Sequence, residues 1–327
     1  MAVEGFDFEK SLLELEKKIE ELKRFAELKE MDLTKEIRPL QDKADEQKRT
    51  IYSRLTAWQK TQVARHMKRP RTLDYVERLF EEFTQIHGDR LVRDDPAIVG
   101  GSAKFEGRTV MVIGQQKGKD TKESLYRNFG MANPEGYRKA LRLMKLAEKF
   151  HLPVITFVDT PAAYPGLGAE ERGQAEAIAR NLREMAVLKT PIVVMIHAEG
   201  GSGGALALAI GDRILMFEHA IYSVIPPEGC AAILWKDSSR AAEAAETLKL
   251  TAPHLKEFGV IDEIIPEPLG GSHRDVEEAA IILRKTLSRV LEEVCRIPLE
   301  TLLEERYQKF RRMGVYEERI KEDISVS

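Results

Sequence analysis

The sequence predicts an α/β protein with a helical arm before its mixed region and further helices after it. Three observations favour this fold class. Residues 8–69 contain no glycine and a single proline, and their apolar residues follow a helical spacing. From residue 72, short runs rich in β-branched residues alternate with amphipathic helical segments, which is typical of βαβ units. After residue 275 the chain returns to helical patterns.

The first region, residues 1–70, is predicted to form a helical hairpin or coiled-coil arm. Glu and Lys flank a narrow apolar seam, as in two helices that pack along one edge; the seam contains Leu12, Leu15, Ile19, Leu22, Leu33, Ile37, Leu40 and Ala44. Met31-Asp32 interrupts the spacing, and Asp32 is a suitable cap for the second helix. The arm either packs on its own domain or docks to another subunit. The basic stretch 65–71 lacks interleaved aromatic residues, which favours a solvated linker over a phosphate site.

The second region, residues 71–327, is predicted to be one mixed domain, with C-terminal helices in residues 275–327. Glu106-Gly107 marks a hairpin between its first two strands, and Asn133-Pro134 marks a helix start. Strands are expected at 97–103, 109–113, 154–158, 191–196, 214–217 and 221–224. Helices are expected at 73–83, 137–147, 175–185, 203–210, 276–291 and 302–310.

Composition excludes several classes of function. Lys and Arg number 51 against 54 Asp and Glu, so no overall positive field attracts nucleic acid. Cys230 and Cys295 are far apart, which excludes a cysteine-based zinc site and a disulfide framework and favours the cytoplasm. The longest uncharged run near the middle, residues 200–211, is about half of the roughly 20 residues that a membrane helix needs. No metal site and no membrane span are expected.

A glycine-rich segment follows the β-branched run at 191–196 and opens a predicted helix. Four of the five residues 200–204 are glycine, and glycine lets backbone amides converge without interference from Cβ. Convergent amides form a site for an anion or an oxyanion from main chain alone. The alternative is a tight turn in a crowded core. Since no lysine follows the glycines and Leu206 breaks the dinucleotide fingerprint, neither nucleotide motif applies.

The same segment also matches the GxSxG pattern of serine hydrolases, with Ser202 as the nucleophile. A catalytic triad requires an acid and a histidine from elsewhere in the chain. The candidates are Asp212, Asp262, His254 and His273. Serine hydrolase is therefore the alternative function.

Two further segments carry candidate binding residues. Residues 159–166 read DTPAAYPG and follow a buried strand, at the end of a sheet where α/β proteins bind ligands. Residues 115–131 concentrate positive charge near another strand end, through Lys117, Lys119, Lys122 and Arg127. Such charge suits a phosphate-bearing ligand such as coenzyme A, or an acidic partner. A mobile polar loop is the alternative.

Together these stretches resemble the alpha chains of bacterial acetyl-CoA carboxylase carboxyltransferases. The resemblance rests on TLDYV, IVGG, IGQQKG, RNFGM, PEGYRKALRLM, EGGSGGALAL, YSVIPPEGCAAILW and IIPEPLGGSHR, and on the long stretch that begins TFVDTPAAYPGLG. It covers nearly the whole chain to about residue 275. It implies a crotonase-like fold, in which βαβ-type units form a spiral.

The resemblance also implies a reaction and its partners. The family transfers the carboxyl group of carboxybiotin to acetyl-CoA and forms malonyl-CoA, the first committed step of fatty acid biosynthesis. Biotin is attached to the biotin carboxyl carrier protein, and ATP is used only by the separate biotin carboxylase. The alpha chain works with a zinc-ribbon beta chain in an alpha2beta2 heterotetramer. A non-catalytic scaffold, with the arm as its working part, is a further alternative.

The resemblance assigns roles to individual residues. Gly204 and Ala205 match the backbone donors that face carboxybiotin, and Gly203 admits the close approach. The other predicted substrate contacts are Gly201, Ser202, Pro161, Ala162, Tyr164, Gly166, Lys117 and Arg127. The family pattern reads DTPGAYPG, so Ala162 replaces a glycine. If this position has a positive φ, alanine there costs about 1 kcal/mol.

Overall fold

The N-terminal arm is a helical hairpin in the computed structural model, which describes residues 5–314. Helix α1 (Lys10–Leu28) packs against α2 (Thr34–Tyr52). Their contact buries Leu12, Ile19, Ile37 and Ala44, which are four residues of the predicted seam. The chain reverses at the predicted break, where Asp32 accepts a hydrogen bond from the amide of Thr34 at 3.0 Å. Two packed helices thus occupy most of the region predicted as the arm; residues 1–4 and 315–327 of the predicted regions lie outside the described part of the chain.

The arm is attached to its own domain by polar contacts. Arg274 of the following domain donates to Glu9 at 2.6 Å and to Glu16 at 3.0 Å. Within the arm, Glu9 also accepts from the Tyr52 hydroxyl at 2.7 Å. The rings of His66 and His273 lie 4.3 Å apart beside these contacts. The arm therefore packs on the domain that follows it in the chain.

The basic stretch after the arm is not a solvated linker, so this prediction is wrong. Helix α3 (Ala57–Ala64) precedes it, and both Arg69 and Arg71 are buried. The Arg69 guanidinium donates to Glu267 at 2.6 and 3.0 Å and to the carbonyl of His197. Sequence pattern did not reveal this burial because the carboxylate partner lies almost two hundred residues further along the chain.

Among the described residues, a mixed sheet of eight strands forms the centre of the second region. In chain order, β1 to β8 are Glu81–Gln85, Ile98–Phe105, Arg108–Gln115, Val154–Thr160, Ile192–Gly201, Arg213–Phe217, Ile221–Ser223 and Glu263–Ile265. Strands β1, β2 and β3 pair antiparallel, and β3, β4, β5, β6 and β8 continue in parallel in that order, while β7 pairs with the end of β5. The predicted hairpin at Glu106-Gly107 joins β2 to β3.

Helices cover the sheet and bury most of the apolar residues against it. The strands β4 and β5 are buried along their whole length, as expected for parallel strands covered on both faces. After α3, the helices are α4 to α14: Thr72–Leu79, Thr121–Tyr126, Pro134–Lys149, Leu167–Glu171, Gln174–Ala186, Ser202–Leu206, Pro227–Trp235, Ala241–Leu248, Ala252–Glu257, Val276–Arg296 and Leu299–Arg311. None of the helices within residues 5–314 is long and apolar enough to cross a membrane.

Three element predictions differ from the structure. The helix predicted at 73–83 ends at Leu79, and residues 81–85 form β1 instead, because pairing with β2 outweighs the helical spacing of Phe80 and Phe83. The helix predicted at 203–210 is the shorter α9, Ser202–Leu206. Pro134 begins α6 as predicted, but the Asn133 side chain does not cap it.

Candidate functional site

The glycine-rich segment is a turn between the central strand β5 and helix α9. Strand β5 lies between β4 and β6, so its carboxyl end opens at the middle of the sheet edge. Gly201 ends the strand and pairs with Ser223 of β7, and Ser202 begins the helix with φ of 52°. A left-handed backbone is uncommon for a serine, and such strain clusters at functional sites. We call residues 200–204 the glycine turn.

The loop that follows β4 passes so close to the glycine turn that two positions of the turn have no room for a side chain. A Cβ at Gly204 would lie 2.6 Å from the carbonyl carbon of Ala162 and from the nitrogen of Ala163. A Cβ at Gly201 would overlap the carbonyl oxygen of Pro161. At Gly203 the nearest atoms belong to Ile178 and are 3.7 Å away, an ordinary contact. The loop after β4 thus approaches the backbone at Gly201 and Gly204. The close approach of a substrate expected at Gly203 stays a prediction.

The glycine turn presents backbone amides at a helix start. The first amides of a helix have no acceptor one turn back, which applies to Ser202, Gly203 and Gly204. Ala205 is the first residue whose amide faces a carbonyl one turn back, that of Gly201. Helix geometry thus leaves the predicted donor Gly204 available more clearly than Ala205. The assignment of donors to a substrate stays a prediction.

The loop of residues 159–166 lies against the glycine turn, as the sequence predicted. Thr160 donates its hydroxyl to the Ala162 carbonyl at 2.7 Å. Gln174 donates to the carbonyl of Tyr164 at 2.9 Å and holds the far part of the loop. Ala162 does not adopt a positive φ, so its replacement of the family glycine introduces no left-handed strain. Pro161 and Ala162 therefore lie against the glycine turn. Tyr164 lies farther along the loop and lines a separate pocket with Asp94 and Asn133, and the contact predicted for Gly166 stays a prediction.

An apolar pocket of about 240 Å³ opens next to the glycine turn. Ser202 and Gly203 form one side, and the chain that leaves β7 forms the other. Its remaining lining is almost entirely apolar: Leu206, Tyr222, Ser223, Val224, Leu255 and Val260. Val224 is 75 % exposed at the rim of this pocket. The amides of the turn thus lie beside space for an apolar ring or chain.

Lys117 is held by carboxylates beneath the glycine turn. Its Nζ lies 2.8 Å from Asp159 and 2.9 Å from Glu199, the residue immediately before the turn. Arg65 pairs with Glu199 at 2.8 Å, and Arg71 pairs with Asp159 at 3.4 Å. Because both carboxylates engage it, Lys117 is not a free cation for a phosphate group. It instead joins the loop after β4 to the end of β5.

The same charges control the protonation of the two carboxylates. Burial by itself raises the pKa of Asp159, but the neighbouring charges of Lys117 and Arg71 outweigh it and hold that pKa well below its usual range. At Glu199, burial also raises the pKa of the carboxyl, but the charges of Lys117 and Arg65 outweigh it and lower that pKa. Both groups are therefore anions at neutral pH, and general acid–base work is not favoured for either.

Arg127 and its neighbours are also engaged within the chain. Arg127 donates to Glu123 at 2.8 Å and to the carbonyl of Pro96 at 2.9 Å. Lys119 pairs with Asp74 at 2.5 Å. The segment contains helix α5, which the side chain of Asp120 caps through the amide of Glu123, so it is not simply a mobile loop. This arrangement argues against direct phosphate binding by Arg127.

Gln115 is a site residue that sequence reasoning missed as an individual contact. It is fully buried at the end of β3, where its Nε2 donates to the carbonyl of Gly204 at 2.6 Å. Its Oε1 accepts from the amide of Asp159 at 3.1 Å. The available signal was an amide side chain at the end of an apolar strand, because a buried polar group must find partners.

The serine hydrolase alternative is not supported. His254 bonds to Thr251, and His273 stacks on His66 at the base of the arm. Both acid candidates form ion pairs with C-terminal residues: Asp212 with Arg306, and Asp262 with Lys309. All four candidates thus have other partners, and among the described residues no hydrogen bond joins any of them to the Ser202 hydroxyl.

Comparison with known proteins places these features in a family. A family model described as "Acetyl co-enzyme A carboxylase carboxyltransferase-like" matches residues 5–314. The acetyl-coenzyme A carboxylase carboxyl transferase subunit alpha of Geobacter metallireducens is 61 % identical over 312 residues, which cover 95 % of this chain and 98 % of that protein. Its counterpart in Halalkalibacterium halodurans is 57 % identical over 321 residues, with 98 % of each chain covered.

Solved structures share the fold at low sequence identity. The beta subunit of Pseudomonas aeruginosa geranyl-CoA carboxylase aligns with 77 % of this chain and 45 % of its own, at a TM-score of 0.54 and 15 % identity. A Pseudomonas malonate decarboxylase hetero-dimer aligns at a TM-score of 0.52 and 17 % identity, covering 67 % of this chain and 90 % of that one. The predicted crotonase-like α/β fold is confirmed. The chain belongs to the family of acetyl-coenzyme A carboxylase carboxyltransferase alpha subunits.

Proposed function

We propose that this chain is the alpha half of a carboxyltransferase that moves the carboxyl group of carboxybiotin to acetyl-CoA and forms malonyl-CoA. The reaction would be the first committed step of fatty acid biosynthesis. One observation carries the proposal: the glycine turn presents amides without intrahelical acceptors at the open end of the central strand, beside an apolar pocket.

The residues of the site fit a biotin group. Carboxybiotin, when bound, would supply the carboxyl group and leave negative charge on its ureido oxygen. The amides of Gly204 and its neighbours in the turn would donate to that oxygen without changing their own protonation. Removal of one such donor typically costs about 3–4 kcal/mol in the barrier. The apolar pocket would hold the less polar remainder of the ring system.

The other predicted contacts have different roles under this proposal. Gly201, Pro161, Ala162, Tyr164 and Gly166 shape the wall that faces the substrate. Lys117 and Arg127 would support the site through contacts inside the chain rather than touch the substrate, since each already pairs with a carboxylate. Ser202 contributes backbone and pocket surface rather than a nucleophilic hydroxyl. Ala205 would donate to the substrate only if its amide left the Gly201 carbonyl, so Gly204 is the stronger of the two predicted donors.

A second chain would complete the site. The acetyl thioester must become an enolate, so a second oxyanion needs donors that this chain does not supply at the glycine turn. Helix α10 is apolar on nearly all sides yet exposes Ile233 and Leu234, and Val224 is exposed at the pocket rim. Such surfaces mark protein contacts. The partner would be the zinc-ribbon beta chain, in an alpha2beta2 heterotetramer.

The remaining partners follow from the overall reaction. The biotin carboxyl carrier protein would present carboxybiotin, and a separate biotin carboxylase would consume ATP to load it. The beta chain would hold the zinc; among residues 5–314, no cluster of three or more His, Cys, Asp or Glu side chains is arranged for a metal. We place the chain in the cytoplasm, where these components meet.

Reconstitution tests the proposed function. The chain mixed with a carboxyltransferase beta chain is expected to form malonyl-CoA from acetyl-CoA and carboxybiotin, whereas each chain alone forms none. Product would be measured by mass spectrometry, with the beta chain alone as the control. Full activity of this chain without a partner would contradict the shared site. Absence of product from the assembled pair would contradict the function.

A further inference from the structure

Gln115 connects the two backbone segments that form the site. It lies at the last position of β3, and its side chain is shielded from solvent. One end of its carboxamide bonds to the glycine turn and the other to the loop after β4. The residues before it, 110–114, are buried and carry no polar side chain, so the Gln115 carboxamide is the one polar side chain in the buried part of β3.

The orientation of the Gln115 carboxamide is determined by its partners. The Gly204 carbonyl can only accept a hydrogen bond, and the Asp159 amide can only donate one. Nitrogen must therefore face Gly204 at 2.6 Å, and oxygen must face Asp159 at 3.1 Å. Because the carboxamide is planar and rigid, these two bonds hold the carbonyl of Gly204 at a constant distance from the amide of Asp159.

The frame behind Gln115 is rigid as well. The hydroxyl of Thr72 donates a short hydrogen bond to the Gln115 carbonyl, and Lys117 joins the carboxylates of Asp159 and Glu199. The loop after β4 is thus held at Asp159 by two side chains from β3 and the residues that follow it. The amide and the carbonyl of Gly204 belong to one short helix turn, so a shift of the carbonyl also moves the amide.

We propose that Gln115 is a positioning residue for carboxyl transfer. Its carboxamide sets the spacing between the glycine turn and the wall of residues 159–166, and so aims the Gly204 amide at the ureido oxygen. This inference rests on the proposed function. A misplacement of about 1 Å in a reacting geometry can cost on the order of a hundred-fold in rate.

The adjacent Gln116 offers a matched control. It is equally buried and also forms two hydrogen bonds, accepting from the amide of Leu73 at 2.9 Å and donating to the carbonyl of Lys117 at 3.0 Å. Neither bond touches the glycine turn or the loop after β4. Gln116→Met therefore reproduces the loss of a buried amide without the loss of the connection that Gln115 makes.

The test compares Gln115→Met, Gln116→Met and the unchanged chain, each assembled with the beta chain. Gln115→Met is expected to lower kcat by about a hundred-fold while KM for acetyl-CoA changes by less than about threefold. Gln116→Met is expected to keep kcat within about threefold. Equal losses in both variants, or full turnover in Gln115→Met, would overturn the inference. No transfer by the unchanged pair would instead contradict the proposed function, and the inference with it.

A second variant supplies a readout that loss of stability does not produce. Gln115→Glu keeps the acceptor for Asp159 but turns an oxygen lone pair toward the Gly204 carbonyl. Burial favours the protonated form of the introduced carboxyl, which can donate again, whereas Lys117 and Arg71 beside Asp159 favour its anion. The ratio of its kcat to that of the unchanged chain is expected to be low at about pH 8 and to rise if the carboxyl takes up its proton at lower pH. Full turnover of Gln115→Glu at about pH 8, or a ratio that falls as the pH falls, would contradict the role, and this variant also decides the matter if Gln115→Met does not assemble.

Discussion

The N-terminal hairpin and the glycine turn use the same charged residue types in opposite ways. On the hairpin, Lys17 and Glu21 face each other at 3.9 Å with side chains 77 % and 68 % exposed. Beneath the glycine turn, Lys117, Asp159 and Glu199 are packed together with little or no exposure. Water screens the first pair, so it contributes little to stability, whereas the second group is costly to leave without partners.

The two regions also differ in the sequence distance of their contacts. In the hairpin, the buried apolar residues recur every three or four positions along each helix, so a local spacing defines the seam. The site depends on remote pairs: Gln115 and Gly204 are 89 positions apart, and Lys117 and Glu199 are 82 apart. A change in the hairpin should therefore have a local and small effect, and a change at the site should affect the whole assembly of loops.

The largest effect is expected from Gly204→Val. The new Cβ would lie 2.6 Å from the Ala162–Ala163 peptide, so the turn must shift and its amides lose their aim. Malonyl-CoA formation by the assembled pair should fall by about a hundred- to a thousand-fold, with little loss of assembly in gel filtration. Gly203→Ala gives the comparison, because its Cβ meets only Ile178 at 3.7 Å within the chain and any loss there would come from the pocket that Gly203 lines. Turnover of Gly204→Val close to that of the unchanged pair would disprove the steric explanation.

A large effect on stability is expected from Arg69→Met. Glu267 accepts from Arg69, Ser272 and the amide of His219, and although burial opposes ionisation, these contacts lower its pKa to about 2. Removal of the arginine leaves a buried anion, which should lower the free energy of unfolding by about 3–5 kcal/mol in urea denaturation. The double variant Arg69→Met with Glu267→Gln should recover part of this loss. No recovery would mean that packing, rather than charge, dominates.

A smaller effect is expected from pH through His197. Burial lowers the pKa of His197 to about 4, and neither ring nitrogen has a hydrogen-bond partner among residues 5–314. Its unfolded pKa is near 6.5, so the unfolded chain binds the proton first as pH falls. The stability that neutral His197 contributes is fully present above about pH 6.5. It is lost as the pH falls toward about 4, by at most about 1.4 kcal/mol per pH unit.

Thermal or urea unfolding between pH 6.5 and 5 checks this slope, because the buried carboxylates lose stability mainly at lower pH. His197→Gln should flatten the dependence in that window, whatever its effect on absolute stability. His273, whose pKa burial lowers to about 3, titrates in the same direction and remains in both proteins. An unchanged slope in His197→Gln would exclude His197 as the source.

The smallest effect is expected on the hairpin surface. Glu21→Gln removes the exposed pair with Lys17 and should change the free energy of unfolding by no more than about 0.5 kcal/mol. Urea denaturation at low and high salt would detect it, because a screened pair weakens further as salt increases. A loss comparable to that of Arg69→Met would remove the contrast between the two regions.

Part of the site was predictable because the residues that form its backbone turns are adjacent in the sequence. The glycine turn, the loop of residues 159–166 and their position at strand ends all follow from local pattern. The roles of Lys117, Arg127 and Arg69 were not predictable. The sequence around a lysine or arginine does not show whether its side chain faces solvent or pairs with a buried carboxylate. Residues 81–85 were missed for a similar reason, since pairing with β2 decides their conformation.

Local periodicity and residue type were sufficient to indicate the hairpin, the βαβ pattern, the glycine turn and the family resemblance. They act over a few positions, where backbone preference and apolar spacing dominate. The folded arrangement alone established that Gly201 and Gly204, rather than Gly203, admit the neighbouring loop, and that Gln115 joins the two segments of the site. These features depend on distances between remote parts of the chain, which arise only when the sheet brings its strand ends together.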